Sequence, residues 1–314
     1  MRTLRTVSMQ RSRVTLSTGN TYGVLDASPG VLDADPVTLL CVHGFPDTGH
    51  GWRHQVGPWM RAGFRVIVPD MLGYGSTDAP VDPAQYTTKR LCSDLAACST
   101  PSASRAPFSV PYTPPARSPT PLVDVARRAP NLAYQLYLAS PAAAPEIEAN
   151  LHKFLTLTYH PPGAPTDFTA EGALRALLAA PDPPAPRPCL LVGPDLDHYL
   201  TSFRTTGFTG PTNYYRTTAL RYAEESAAAL PVALPVTLSV LFLYGTADPT
   251  VAPAALRQQR RFVPRLTERA LEGRGHWVMI EDAAEGEGGD GGEVGRAVLQ
   301  WLAREGIGAG RTKL

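Results

Sequence analysis

Short apolar runs and longer amphipathic stretches alternate towards both ends of the chain. Residues 37–42 and 64–68 are rich in Val, Leu, Ile and Phe, which predicts two buried strands, and residues 51–62 between them have a helical pattern. Residues 235–244 and 266–271 repeat the strand pattern, and residues 294–305 predict a last amphipathic helix. Strands separated by helices are typical of a largely parallel sheet.

The N-terminal region and the middle of the chain have other patterns. Residues 14–16 and 22–25 are strand-like and flank Gly19-Asn20, which predicts a hairpin. Residues 124–230 are mostly helical in pattern. They contain two apolar stripes, which we interpret as core positions. The stripes are Ile147, Leu151, Phe154 and Leu155, and Leu196, Tyr199, Leu200 and Phe203. The pattern predicts an α/β fold in three parts: a core domain in two sections, residues 1–112 and 231–314, and a helical cap, residues 113–230.

Composition excludes several classes of function. The 314 residues are 43% hydrophobic with a net charge of +1, which gives no electrostatic basis for binding nucleic acid or an anionic membrane. No apolar run is long enough to span a membrane. The four cysteines lack metal-ligand spacing, and no cofactor motif is present, so we expect neither metal nor cofactor. The oligomeric state is left open.

Targeting signals are weak. The Arg-rich N-terminus has no apolar segment, so it does not resemble a secretory signal, and we expect a cytoplasmic location. The last three residues, Thr312-Lys313-Leu314, resemble a peroxisomal Ser-Lys-Leu tail, which leaves a peroxisomal location open.

The segment His43-Gly44-Phe45-Pro46 follows the first predicted buried strand directly. A strand that ends in such a loop brings a backbone N–H to the carboxyl edge of the sheet, where it can stabilise an oxyanion. The alternative is an ordinary strand-to-loop turn. We therefore treat the Phe45 N–H as a candidate oxyanion-hole donor.

An acid and a histidine follow the two late strands. Asp248 comes after 235–244, and His276 lies in a Gly-flanked loop after 266–271, 28 positions further on. An acid that orients a histidine, which then acts as a general base, is the usual activating pair in nucleophilic catalysis. Each residue alone is more often a turn former or a solvated side chain. The order Asp then His, downstream of the His43 loop, favours the catalytic interpretation.

With these motifs the chain resembles the soluble epoxide hydrolases of the α/β-hydrolase superfamily over nearly its whole length. His43-Gly44-Phe45-Pro46 is similar to the family's HGxP loop, and residues 70–76 (DMLGYGS) to the loop that follows it. Residues 131–137 and Asn213-Tyr214-Tyr215-Arg216 are similar to the segments with the two cap tyrosines. The resemblance implies that Tyr134 and Tyr215 donate to an epoxide oxygen, that the substrate is a small apolar epoxide, and that the product is a vicinal diol. Tyr137 is interpreted as a packing residue.

One part of the family pattern has no counterpart. The resemblance implies a nucleophilic aspartate on a strand–elbow–helix between the helix that ends near Ala97 and the family's cap segment. Only residues 98–109 fill that interval, whereas such a unit needs about 30 residues. Asp94 lies inside the preceding predicted helix. Residues 193–197 (GPDLD) imitate an elbow, but we interpret them as a helix start. No nucleophile is identifiable, and we expect the central elbow strand to be absent and the chain to be inactive or impaired.

Two other functions remain open. A haloalkane dehalogenase shares the fold and the Asp nucleophile, but two tyrosine donors argue against it, since halide release needs indole or amide donors. A non-catalytic protein that binds an apolar ligand between core and cap is favoured by the missing elbow.

Overall fold

The protein is described from a computed structural model, which covers residues 8–29, 36–98, 120–164, 167–251, 253–281, 289 and 291–308. The strands are β1 Ser8–Thr15, β2 Thr21–Ser28, β3 Thr38–Leu40, β4 Arg65–Pro69, β5 Val240–Gly245 and β6 Leu266–Leu271. Every predicted strand region contains a strand, with bounds that differ by a few residues. The largest differences are that β1 begins at Ser8 instead of 14 and that β5 begins at Val240 instead of 235.

The helices of the two core sections and of the middle of the chain follow the predicted pattern. They are α1 Arg53–Arg61, α2 Thr88–Cys98, α3 Leu122–Arg128, α4 Tyr134–Leu138, α5 Ala143–Ala149, α6 Leu151–Thr158, α7 Ala173–Ala179, α8 Pro194–Thr206, α9 Thr209–Asn213, α10 Thr218–Ala227, α11 Pro253–Gln259, α12 Val278–Glu281 and α13 Gly292–Arg304. Among the described residues, no helix has both the length and the apolarity needed to cross a membrane.

The described strands form mixed sheets, in which the expected parallel pairs occur together with antiparallel ones. They form a four-stranded sheet in the order β1-β2-β4-β3 and a separate two-stranded sheet, β5-β6. β3 pairs with β4, and β5 with β6, in parallel, but β1–β2 and β2–β4 are antiparallel. The reason is local, because β1 and β2 are joined by the tight Leu16–Asn20 turn, in which Gly19 has φ +98°. The fold is therefore a mixed α/β arrangement.

Two buried regions hold the elements together. Strands β3, β4 and β5 and helices α1 and α13 share one apolar core, which includes Trp59, Val66, Leu241 and Leu302. The helices of residues 122–227 form a second core. Both predicted stripes belong to it, because Ile147, Phe154, Tyr199 and Phe203 are almost completely buried there. Their interpretation as core positions is confirmed.

Candidate active site

A cavity of about 500 Å³ lies between the helical segment and the loops that follow β3, β5 and β6. Its walls are mainly apolar and carry a few polar groups, which is typical of a small-molecule site. The lining residues used below are Phe45, Tyr134, Leu138, Phe168, His276 and Trp277. Sequence segments up to 230 positions apart are thus brought to one site.

His276 and Asp248 form a hydrogen-bonded pair at the edge of this cavity. The His276 Nδ1 lies 2.9 Å from the Asp248 Oδ2. The Asp248 side chain is 7% exposed, whereas that of His276 is 50% exposed. Because Nδ1 faces the carboxylate, a neutral His276 carries its proton there, and Nε2 is free to take a proton from water.

Thr250 orients Asp248, and sequence reasoning missed it. Its N–H and its hydroxyl donate to Asp248 Oδ1 at 2.8 and 2.7 Å. Burial by itself raises the pKa of Asp248, but the His276 hydrogen bond and charge, with the Thr250 bonds, outweigh it and hold the pKa below the usual value. The carboxylate is therefore ionised at neutral pH.

The loop that presents His276 is held by a second buried acid, Glu281. Its carboxylate oxygens accept the Gly275 N–H at 2.6 Å and the Trp277 N–H at 2.9 Å. Both N–H groups flank His276, so Glu281 sets the backbone on each side of the imidazole. The only signal in the sequence is an acid five positions after the histidine, which is too common a pattern to identify such a role.

The Phe45 loop is fixed through His43. The Met71 N–H donates to His43 Nε2 at 2.9 Å, and Nδ1 lies 2.9 Å from Gly44 O, so a neutral imidazole protonated on Nδ1 satisfies both contacts. Within the described part of the chain, the Phe45 N–H has no acceptor. It is therefore available to a ligand oxygen.

Asp47, directly after this loop, is a buried carboxyl that joins the core to the helical segment. Its Oδ1 lies 2.5 Å from the Tyr199 hydroxyl and 3.4 Å from that of Tyr159. Tyr159 also lies 3.1 Å from Pro46 O, and its ring stacks on Trp277 with centroids 3.9 Å apart. Burial raises the pKa of Asp47. Tyr159 thus contacts both the Phe45 loop and the His276 loop.

The two predicted tyrosines lie close to each other, but they occupy different positions. Tyr134, at the start of α4, lines the cavity. Tyr215 is not among the lining residues; its ring meets that of Phe45 edge-to-face at 5.3 Å. Burial raises the pKa of both phenols; the nearby Tyr134 raises that of Tyr215 further, and Asp248 raises that of Tyr134. Both phenols are protonated at neutral pH. Tyr137 is buried in the helical core, as predicted.

Arg216 ties the turn that carries Tyr215 to the end of α4. Its guanidinium donates to Ala139 O at 3.1 Å and to Ser140 O at 2.8 Å, two carbonyls that follow the helix of Tyr134. It also donates to Asn213 Oδ1 at 2.9 Å. Arg216 therefore links the turn that carries Tyr215 to the helix that carries Tyr134, a role that its place beside Tyr215 in the sequence did not reveal.

The structure describes no carboxylate in the position of a nucleophile. The predicted interval lies mostly within 99–119, outside the described residues. Asp94 lies in α2 and accepts the Tyr22 hydroxyl at 2.9 Å, and α8 begins at Pro194 after Gly193, so the interpretation of 193–197 as a helix start is confirmed. In the described ranges, no group of three or more His, Cys, Asp or Glu could hold a metal ion.

The chain is similar in sequence and in structure to known epoxide hydrolases. A profile of the alpha/beta hydrolase fold matches residues 37–99. The chain is 30% identical to an epoxide hydrolase of Caballeronia sordidicola, with 80% of this chain and 85% of that protein covered. It is 26% identical to the bifunctional epoxide hydrolase 2 of Rattus norvegicus, over 90% of this chain but only 56% of the rat protein. It is also similar to the crystal structure of epoxide hydrolase A from Mycobacterium thermoresistibile, with a TM-score of 0.74, 25% identity, and 94% and 98% of the two chains covered.

Proposed function

Because the chain belongs to the epoxide hydrolases of the α/β-hydrolase fold, we propose that the cavity beside His276 binds a small apolar epoxide. The observation that carries this proposal is the lining of one apolar cavity of about 500 Å³ by Phe45, Tyr134 and His276 together. A phenol donor, a free backbone N–H and a histidine with an oriented proton are the groups that ring opening and ester hydrolysis need.

Each residue has a role in this proposal. Tyr134 donates a hydrogen bond to the epoxide oxygen from the cavity wall, and Tyr215, whose ring packs against the lining residue Phe45, donates the second from behind that wall. Their raised pKa keeps both phenols protonated as donors. The Phe45 N–H stabilises the oxyanion of a tetrahedral intermediate. His276 Nε2 takes the proton of the hydrolytic water, while Asp248 stabilises the imidazolium that forms.

We expect this chain to bind the epoxide without completing the reaction. The family reaction begins with attack of an elbow aspartate on an epoxide carbon, and no such aspartate is identifiable in the sequence. His276 then has no ester to hydrolyse. A ligand-binding protein without turnover is therefore the second candidate function, and the half-exposed His276 side chain supports it.

A dehalogenase function is less well supported. Halide release requires indole or amide donors, and the only indole that lines the cavity, that of Trp277, donates to Thr158 O at 2.7 Å. The side-chain donors that we propose for the ligand are therefore the phenols of Tyr134 and Tyr215, which suit an epoxide oxygen.

We also propose the division of the chain into core 1–112, cap 113–230 and core 231–314. Helices α4 to α8, all within residues 134–206, supply most of one buried core, which supports a helical cap in the middle of the chain. A cytoplasmic location remains a proposal as well.

Binding of styrene oxide, a small apolar epoxide, tests the substrate class. Tyr134→Phe and Tyr215→Phe should each weaken binding measured by NMR titration about tenfold, because each loses one hydrogen bond to the epoxide oxygen. Tyr137→Phe is the matched control, since Tyr137 lies in the same helix as Tyr134 but is buried in the helical core, and we assign it no hydrogen bond to the ligand. Equal affinity of all four proteins, or no binding by any, would contradict the proposed site.

A single-turnover incubation in ¹⁸O-water tests the loss of catalysis. We expect no diol and no labelled aspartate in peptides analysed by mass spectrometry. A second protein, with a strand–elbow–helix inserted between Ala97 and Val110, should form the diol if the rest of the site is intact. Label in any aspartate of the unaltered chain would show that a nucleophile is present.

A further inference from the structure

The outer edge of β3 carries unpaired backbone groups. The Cys41 N–H donates to Ile67 O of β4 at 2.8 Å, so odd-numbered residues of this strand face β4. In a parallel strand the intervening residues point their N–H and C=O groups the opposite way, which here are those of Leu40 and Val42. Among the described residues, no strand pairs with that side of β3.

The outer edge of β5 is unpaired in the same way. The Val240 N–H donates to Arg265 O at 2.9 Å, so even-numbered residues face β6. The backbone groups of Leu243 therefore point away from β6. No described strand lies on that side either, so each of the two sheets has an open edge.

A cavity of about 280 Å³ is lined by residues of both strands, and it adjoins the proposed substrate cavity. Its lining includes four consecutive residues of the first strand and its end, Leu39 to Val42, and Leu243 of the second strand. A cavity over the face of a sheet would contact alternate residues only, because successive side chains point to opposite faces. Contact with consecutive residues places this cavity along the strand edge.

We propose that this cavity is a binding site for a short extended peptide segment, which inserts as a strand between β3 and β5. A small apolar ligand would leave the backbone groups of Leu40, Val42 and Leu243 without partners, and such buried groups are costly. An extended peptide pairs with both edges, since its alternate N–H and C=O groups point in opposite directions.

The lining also determines the side chains of the segment. The walls formed by Trp52, Trp59, Val294 and Val298 are apolar, and the Asp47 carboxyl is already bonded to tyrosine hydroxyls. The site therefore takes uncharged, β-branched side chains. Its occupant would end near Phe45 and His276, which line this cavity as well as the larger one.

Titration of the full chain with a synthetic strand tests the proposal independently of any epoxide. The probe is an acetylated and amidated peptide of roughly six alternating valines and threonines, with a lysine at each end for solubility. Two further peptides carry backbone N-methyl groups, one on the odd and one on the even positions. Each N-methylated peptide should bind at least about tenfold more weakly, because insertion between two edges uses both sets of N–H groups.

Amide hydrogen exchange locates the bound peptide. Exchange of the Leu40 and Val42 N–H groups should slow about tenfold when the peptide binds, with that of Cys41 as the matched control, because its N–H is already bonded to Ile67. No binding, equal binding of all three peptides, or sensitivity to only one methylation pattern would overturn insertion between two edges. Protection of Leu40 and Val42 that rises with protein concentration alone would overturn it in favour of a second copy of the chain.

Discussion

At the scale of single residues, the candidate site is organised by buried carboxyl groups. Asp248 orients His276, Glu281 holds the backbone on both sides of His276, and Asp47 anchors the Phe45 loop to two tyrosines. A buried carboxyl stays ionised only where donors compensate for the water that it has lost. The environment of Asp248 supplies enough compensation, while that of Asp47 does not, and the two pKa shifts are opposite in sign.

His276→Ala should raise the pKa of Asp248. The variant loses the hydrogen bond and the charge that lower this pKa, while burial, which raises it, remains. A ¹³C NMR titration of the Asp248 carboxyl measures the change, and Thr250→Val should give a smaller rise. A pKa that is lower in the folded than in the unfolded state stabilises the protein above about pH 4. This stabilisation is lost as the pH falls through the pKa of the folded state. The stability advantage of the wild type over His276→Ala should therefore vanish in acid; the same Asp248 pKa in both proteins would contradict the pair.

Asp47→Asn should become more stable relative to the wild type as pH rises. Because burial raises the pKa of Asp47, the folded protein favours the neutral carboxyl. The contribution of the neutral Asp47 carboxyl to stability is fully present below about pH 4. It is lost as the pH rises through the pKa of Asp47 in the folded state. Urea unfolding from pH 3 to 8 should show the stability of the variant rising relative to that of the wild type across this range. Asp124→Asn, at an exposed pair with Arg127, is the control and should show little change.

At the scale of elements, helix α8 is attached to the core by one charged contact. Asp195, in its first turn, lies 2.7 Å from His50 Nε2 and 2.7 Å from an Arg53 Nη. The His50 ring also stacks on that of His198, with centroids 4.1 Å apart. These side chains are only 16–31% exposed, so water screens the pair less than at an open surface.

Asp195→Asn should therefore destabilise the protein by about 1–2 kcal/mol, through weakening of the hydrogen bond to His50 and loss of the ion pair to Arg53. Asp197→Asn is a close control, because Asp197 lies in the same helical turn but is exposed. This substitution weakens only the interaction of residue 197 with the helix dipole and should lower the free energy of unfolding by only a few tenths of a kcal/mol. Urea midpoints of the three proteins measure this. Equal losses for both variants would show that the helix dipole, not the contact with the core, accounts for the effect.

At the scale of the whole molecule, α13 connects the two sheets. It contacts α1, which covers the larger sheet, and β5 of the smaller one. The Trp59 indole of α1 donates to Gly295 O of α13 at 3.2 Å, and Leu302 is fully buried in the core that the two sheets share. With no described strand between β3 and β5, this helix is an important link between the two halves of the core.

Leu302→Ala should lower the free energy of unfolding by about 2–5 kcal/mol, because it leaves a cavity in the shared core. Gln300→Ala, on the exposed side of the same helix, should have little effect. Urea denaturation followed by tryptophan fluorescence measures both. A small loss for Leu302→Ala would indicate that the two sheets are held together by contacts other than α13.

Local pattern was enough to place most elements and the candidate residues of the site. Apolar runs located β3 and β4, because a strand buried between helices has few polar positions. The pattern located β5 less well, since Pro235 to Ser239 have strand-like residues but pair with no other strand. The apolar runs did not reveal which strand pairs are antiparallel, because the direction of pairing depends on turns and partners.

Sequence alone was enough to propose the residues of the candidate site. These are the Phe45 loop, Tyr134, Tyr215, Asp248 and His276, each next to the end of a strand or within a short motif. The tertiary structure alone decided how they are held. Glu281 contacts the backbone of the His276 loop, Arg216 contacts carbonyls 76 and 77 positions away, and Tyr159 contacts residues 112 and 113 positions away. Such contacts leave no local signal, because a hydrogen bond depends on distance in space, and any acid, arginine or tyrosine in the sequence has the same appearance before the chain is folded.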